Sequence, residues 1–349
     1  MRMVRLPKDK FSDFMISLME DYAVYAPVTA DGKSSFKAIE SAEDIDSSCL
    51  VTDRTPKEVF FPHSEVLFEY DENGVREVER ADKPIAVWGL RGCDAKSLTM
   101  LDKVFGSARQ KPEDEMFQDP YWKEKYDNSL VFCLACNEPR STCFCNWFGG
   151  GPHNGEGSDV FVVDIGDAYL MEPLSEKGRA FVENMTGTAD ASASDKKKAE
   201  ALASAAKDML DEAPPLEGIN ERLKDLFDDD IWEEMSAKCV NCGACAFVCS
   251  TCHCFDVQDE GKGGRGRRIR IWDSCMFPVF TKEASGHNPR HLSKERFRQR
   301  VMHKYSYFVD NYGESLCTGC GRCVIACPVG IDIREVIKNV LSYEGKGAR

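Results

Sequence analysis

Apolar residues recur in two periods along this chain, and each change of period marks an element. Over residues 8–22, Phe11, Phe14, Met15, Leu18 and Met19 fall at helical spacing, which predicts a short amphipathic helix. Over 64–79 the period drops to two. Val66, Phe68 and Tyr70 alternate, Glu72-Asn73-Gly74 turns, and Val75 and Val78 follow, the pattern of a hairpin. Continuous apolar runs at Ile85–Leu90, Leu130–Leu134 and Val160–Ile165 read as buried strands. Behind the first run, Leu98, Leu101, Val104 and Phe105 predict a helix over Ala95–Phe105 with Asp94 as its N-cap. Strand, cysteine-bearing loop, helix and strand in succession predict an α/β domain over residues 1–185.

The pattern dissolves over 186–215. Thr186 to Asp195 is rich in Ala, Ser, Thr, Gly and Asp, Lys196–Leu210 is a polar Ala/Lys helix, and Pro214-Pro215 follows. This stretch reads as a linker or a peripheral helical arm. Beyond it, helical patterns at Leu216–Ser236, Lys294–Tyr312 and Asp332–Tyr343 flank two cysteine runs. The fold class is therefore α+β, an N-terminal α/β domain followed by a mostly helical, ferredoxin-like domain over 216–349.

Composition narrows the function. The chain has 349 residues and a net charge of −14, which argues against a nucleic-acid role and against docking on an anionic membrane. No stretch approaches the roughly 18 apolar residues of a spanning helix. The basic start, Met-Arg-Met-Val-Arg-Leu-Pro, lacks the apolar core of a signal peptide. Seventeen cysteines without an export signal point to a reducing, cytoplasmic and anaerobic or microaerobic setting, and to metal ligation.

The cysteine spacing carries the chemistry. Cys239, Cys242, Cys245 and Cys249 fit C-x2-C-x2-C-x3-C, and so do Cys317, Cys320, Cys323 and Cys327, with Pro328 trailing. This is the spacing of a ferredoxin-type [4Fe-4S] site, in which the fourth cysteine often ligates the neighbouring cluster. Gly243, Gly319 and Gly321 let the backbone bend around the group. Zinc needs only four ligands in all, and an odd cysteine count in a chain without a signal does not suit a disulfide framework. Two [4Fe-4S] clusters are the reading that uses both runs.

Nine cysteines remain. Cys93 sits just past one strand, and Cys136, Cys143 and Cys145 follow another, so two loops of one sheet would open on one edge. In an extended Cys143-Phe144-Cys145 both thiols point the same way, and Gly149-Gly150-Gly151-Pro152 permits close backbone approach. Cys93, Cys136, Cys143 and Cys145 are therefore a third candidate [4Fe-4S] site, against buried thiols or zinc. Cys133, inside the strand, reads as a small apolar core residue. Cys252, Cys254 and Cys275 read as packing around the first run, an alternative ligand or a redox-active thiol. Cys49 reads as structural.

Other signals carry less. Gly261-Lys-Gly263-Gly264-Arg-Gly266 satisfies G-x-G-x-x-G, but an acidic polar segment precedes it and Arg267–Trp272, a strand pattern, follows it, so a dinucleotide site is rejected. Arg265–Arg270, with Lys294, Arg296, Arg298 and Arg300, forms a basic feature suited to neutralising cluster–thiolate units, docking an acidic partner or facing solvent. His287, His291 and His303 lack tight spacing with cysteine and read as hydrogen-bonding residues.

With these residues in view the chain resembles the iron–sulfur beta subunit of soluble sulfhydrogenases and the A subunit of anaerobic sulfite reductase. The matching stretches are Gly89–Asp94, Cys136-Asn-Glu-Pro with Cys143-Phe-Cys145, Gly150-Gly-Pro152, Cys249–Asp256, Trp272–Cys275, Gly286–Arg290 and Cys317–Cys323. The resemblance implies an electron-carrying subunit with no substrate chemistry or catalytic residue of its own. It implies a flavoprotein partner binding FAD and NAD(P)H, and a hydrogenase, sulfite reductase or heterodisulfide-reductase-like module as the other terminus. No flavin or NAD is then expected on this chain. The resemblance also favours Cys93, Cys136, Cys143 and Cys145 over Cys133. Ser250 departs from the family's usual Pro, and His253 stands where an aromatic is expected. The alternative function is a redox enzyme with thiol or sulfur chemistry at Cys252, Cys254 and Cys275.

Overall fold

A computed structural model describes residues 3–78, 83–106 and 117–344. Its twelve described strands are β1 (Val4–Pro7), β2 (Ala23–Ala30), β3 (Lys33–Ala38), β4 (Ser64–Asp71), β5 (Gly74–Arg76), β6 (Ile85–Leu90), β7 (Leu130–Leu134), β8 (Val160–Asp164), β9 (Ala168–Pro173), β10 (Ala189–Asp190), β11 (Phe255–Lys262) and β12 (Arg265–Trp272). Eight of them form one sheet in the order β10-β1-β9-β8-β7-β6-β2-β3. Its centre, β2-β6-β7-β8, is parallel, and antiparallel strands flank it. The architecture is α+β.

The three apolar runs become β6, β7 and β8 because both faces of the sheet's centre are covered. Alternation sorts their side chains. Ala86, Trp88, Leu130 and Phe132 pack with Phe14, Met15 and Leu18 of helix Phe11–Asp21 on one face. Val87, Leu90 and Val131 pack with Leu98, Leu101, Phe105 and Trp122 on the other. The helix behind β6 starts earlier than its apolar residues suggest, at Gly92, with extended Arg91 as N-cap. Asp94 does not cap it. Its carboxylate is engaged by Arg322, so the side chain turns inward rather than back on its own backbone.

The second sheet, β11-β12-β4-β5, joins distant parts of the chain. The β4–β5 hairpin forms as its alternation predicts, although residue 79 lies outside the described residues. Its partner is unexpected: β12 pairs antiparallel with β4. The acidic segment before Gly261 is itself a strand. Asp259 faces Arg268 and Glu260 faces Arg267 across the β11–β12 ladder, so opposite charges pair where the segment alone looks too polar. The Gly263-Gly264 pair supplies two positive φ angles at the hairpin turn. No helix follows it, so the glycine-rich run is a strand-to-strand turn.

The stretch 186–215 is tied down at its start. β10 adds to the sheet edge beside β1, and helix Ala193–Asp208 starts in a reciprocal Ser192–Asp195 capping box. The pattern over Leu216–Ser236 is two helices, Ile219–Asp225 and Ile231–Ser236. The Asp229 carboxylate accepts the Ile231 N–H at 2.9 Å and restarts the helix there. Helix Ser293–Met302 passes through a wide π turn, His303–Tyr307, into Phe308–Tyr312. These helices and Ile333–Ser342 bury Leu223, Trp232, Phe297, Val301, Ile337 and Val340. Among the described residues no helix is long and apolar enough to cross a membrane.

Candidate metal centres

The two C-x2-C-x2-C loops have one backbone. Asn241 (φ 54°) and Gly243 (φ 74°) in the first occupy the same offsets from Cys239 as Gly319 (φ 65°) and Gly321 (φ 73°) from Cys317. Left-handed residues at those two places curl each loop so that its three thiols share one concave side. Each loop then opens a short helical turn, Ala244–Phe247 or Arg322–Ile325.

Tertiary packing exchanges the fourth cysteines. Cys239, Cys242 and Cys245 line one cavity with Cys323 and Cys327 of the other run, walled by Met276, Val301 and Ile333. The Cys327 thiol there accepts the Ile331 N–H at 3.2 Å. Cys249, last of the first run, instead faces Cys317, Cys320 and Cys323. Burial pushes all three of those thiols up, the cost of placing an anion in an apolar site. Three groups beside this set are suited to hold negative charge. Lys304 Nζ lies 3.2 Å from Cys249 Sγ and also donates to Thr251 Oγ1 and the Leu316 carbonyl. The Arg300 guanidinium faces Cys245, Cys249, Cys252 and Cys323. The Tyr305 hydroxyl is buried and faces the Cys317 thiol. Lys304 and Tyr305 both stand on the π turn, the kind of helical irregularity often found at functional sites.

The N-terminal four also meet. β6 and β7 are parallel neighbours, so the loops after them leave the same sheet edge. Gly92 must be glycine there, because a Cβ would stand 2.2 Å from the Asn154 carbonyl oxygen. The Arg91 guanidinium holds the second loop through Ala135 O at 2.7 Å, and Cys136 N–H donates to Pro152 O at 2.8 Å. Cys93 faces Cys136, and so do Cys143 and Cys145. Burial first, then the neighbouring thiols, push Cys143 up to about 11 and Cys145 up to about 12. Cys133 stays inside β7, fully buried, its thiol toward the Asn154 carbonyl.

This third set is locked onto the second run. Phe144 N–H donates to Gly319 O at 2.8 Å, and a Cβ on Gly319 would lie 2.3 Å from the Phe144 oxygen. A Cβ on Gly321 would lie 2.4 Å from the Thr142 oxygen. Beside these contacts the buried Arg322 guanidinium clamps Asp94, with Oδ1 at 2.5 Å and Oδ2 at 2.8 Å, and reaches Thr52 and Ser250. Arg322 lies between Cys320 and Cys323 in sequence, and Asp94 follows Cys93, so one ion pair joins the two sets.

Several of these groups were not legible in the sequence. Of the basic residues flagged there, only Arg300 faces the thiols. Arg270 is buried against Glu65 and Asp119, Arg296 donates to the carbonyls of Met276, Arg290 and His291, and Arg298 packs on Phe227. Lys57, Lys304 and Tyr305 carried no local signal, and Asp94 was read as an N-cap and Arg322 only as a member of the second run, not as a pair. Among the described residues no three His, Cys, Asp or Glu side chains converge as ligands of a single ion would. A polynuclear cluster spreads its thiolates over several irons. Shared concave loops, side-chain-free cradles and a buried hydroxyl beside Cys317 all fit such a group.

A family of 4Fe-4S dicluster domains matches residues 238–331. The chain is 32% identical over 346 residues to sulfhydrogenase 2 subunit beta of Pyrococcus furiosus, covering 97% of this chain and 98% of that protein. No solved structure matches it.

Proposed function

Because the chain belongs to the sulfhydrogenase beta subunit family, an iron–sulfur electron-transfer subunit, we propose that it carries three [4Fe-4S] clusters in series within an oxidoreductase complex. Cys239, Cys242, Cys245 and Cys327 would hold the first, Cys249, Cys317, Cys320 and Cys323 the second, and Cys93, Cys136, Cys143 and Cys145 the third. Bound clusters supply one-electron redox chemistry. The chain's own part is to fix their order, keep water from the middle set and place positive charge beside it.

One observation carries this reading: the Cys317–Cys323 loop touches both other sets. It shares the first cavity through Cys323, and it zips to the third loop through Phe144 and Gly319. In the middle set Cys249 is buried and Cys317, Cys320 and Cys323 are partly buried, whereas Cys242 of the first is exposed beside Val240, which is 60% exposed. That edge is suited to passing electrons to a partner. The partners of this reading are a flavoprotein binding FAD and NAD(P)H and a hydrogenase, sulfite reductase or heterodisulfide-reductase-like module, in the cytoplasm. The relative is by name a subunit of a sulfhydrogenase, which favours the hydrogenase arm. The domain division at 186–215 belongs to the same proposal.

Anaerobic purification with co-purifying chains identified tests it. Three cubes predict about twelve irons and as many acid-labile sulfides per chain. A colourless chain without labile sulfide refutes it. The alternative, sulfur chemistry on a substrate at Cys252, Cys254 and Cys275, requires access to thiols of which two are only 9% and 8% exposed.

A further inference from the structure

Cys252, Cys254 and Cys275 are not used by the relay just described, and the fold nevertheless assembles them. Asp273 N–H donates to Cys254 O at 3.0 Å, which lays the Trp272–Cys275 segment along the end of the first run. The Cys254 thiol faces that of Cys275, and the Cys252 thiol faces that of Cys249. Loose packing thiols need no such gathering from segments twenty residues apart.

The second observation is charge. Lys57 comes from the N-terminal half of the chain, on a 3-10 turn capped by Thr55, and is 2% exposed. Its ammonium donates to the Cys252 carbonyl, sits 4.0 Å from the centre of the Trp272 ring, and faces Cys252, Cys249 and Cys254. Arg300 Nη1 lies 3.5 Å from Cys252 Sγ, and the residue is 5% exposed. Among the described residues neither cation forms a salt bridge with a carboxylate. A buried cation without an anion is costly. Among the described residues the anion-forming groups they face are sulfurs, those of Cys252, Cys249 and Cys254 for Lys57 and those of Cys245, Cys252, Cys323 and Cys249 for Arg300. A protonated thiol does not answer that charge, whereas a metal-bound thiolate does so permanently. The three thiols do not converge on one point, so a single ion is not the fit.

We propose that Cys252, Cys254 and Cys275 bind a further iron–sulfur cluster through three thiolates, with Lys57 and Arg300 as its buried counter-charges and one corner left to a ligand other than these cysteines. The inference rests on the reading of this chain as a cluster carrier. It adds a branch beside the middle set, reached through Cys252 and Cys249.

The test compares iron, acid-labile sulfide and the electron paramagnetic resonance of the reduced protein in the full chain and in Cys275→Ser, both purified anaerobically. Cys275 is the member farthest in sequence from the two runs. The expected result is a loss of about two irons for a [2Fe-2S] unit or about four for a cube, with one spectral component gone and the others kept. Iron, sulfide and spectrum equal to wild type overturn the proposal. Should Cys275→Ser fail to fold, the wild-type chain decides: iron above about twelve supports the further cluster, and about twelve irons with three spins overturns it. Absence of labile sulfide altogether would overturn the relay as well, so the two failures are distinct.

Discussion

Lys304 shows how one side chain sets the chemistry of a thiol set. Its ammonium is 3% exposed and 3.2 Å from Cys249 Sγ. A positive charge there favours whichever state carries more negative charge, which is the reduced one. At such a distance a pair of unit charges interacts by about 4 kcal/mol even at an effective dielectric constant of about 20. Lys304→Gln is therefore expected to lower the midpoint potential of the neighbouring cluster by about 60 mV or more, roughly 1.4 kcal/mol for one electron. A redox titration followed by paramagnetic resonance reads this directly, and an unmoved potential would rule out the electrostatic role. Nothing near Lys304 in sequence announces it, because Cys249 is 55 positions away.

At the scale of the element, the two cysteine loops differ in what their left-handed positions must tolerate. Asn241 fills in the first loop the place Gly319 fills in the second, and its amide reaches Ser293 Oγ at 2.8 Å. Gly319 has no such freedom, since the Phe144 backbone occupies the space a side chain would take. Gly319→Ala combines a strained φ with a backbone collision, and is expected to cost about 3 kcal/mol or more. The loss should appear as a lower unfolding midpoint together with release of the proposed second and third clusters while the first remains. Retention of all three would show that the loops do not need their close contact. The glycines were conspicuous from spacing alone, but which of them could be spared was not, because the obstructing backbone comes from another part of the chain.

For the whole molecule the Asp94–Arg322 pair is the joint between the sheet's edge and the helical part. Both residues are almost wholly buried, at 1% and 2% exposed. Asp94→Asn leaves a guanidinium buried without its anion, and is expected to destabilise the chain by about 3–5 kcal/mol in chemical denaturation. A loss below about 1 kcal/mol would contradict that role. The thiols impose a second global property. In cluster-free protein Cys143 and Cys145 are held up to about 11 and about 12, above the ordinary 9.0. An acid raised in the fold is neutral there while the unfolded chain ionises, so its stability contribution is present below about pH 9 and lost as pH rises toward the folded values. Cluster-free protein should therefore become steadily less stable above about pH 9, whereas loaded protein, whose thiolates are ligated, should not. Parallel denaturation curves for the two forms across that range would refute it.

Local order was written in the residues themselves. The buried strands, the helix over Phe11–Asp21 and the β4–β5 hairpin follow from side-chain period, which is set by backbone geometry within a few positions. The cysteine spacing likewise marks the two loops, which the left-handed positions at Asn241, Gly243, Gly319 and Gly321 then curl. Tertiary structure decided that Cys327 lines the first loop's cavity while Cys249 faces the second loop, that β12 lies on β4, and that Lys57, Lys304 and Arg322 stand among sulfurs. Those contacts join residues far apart in the chain. Their energy depends on burial and on the neighbours it enforces, quantities no window of sequence contains.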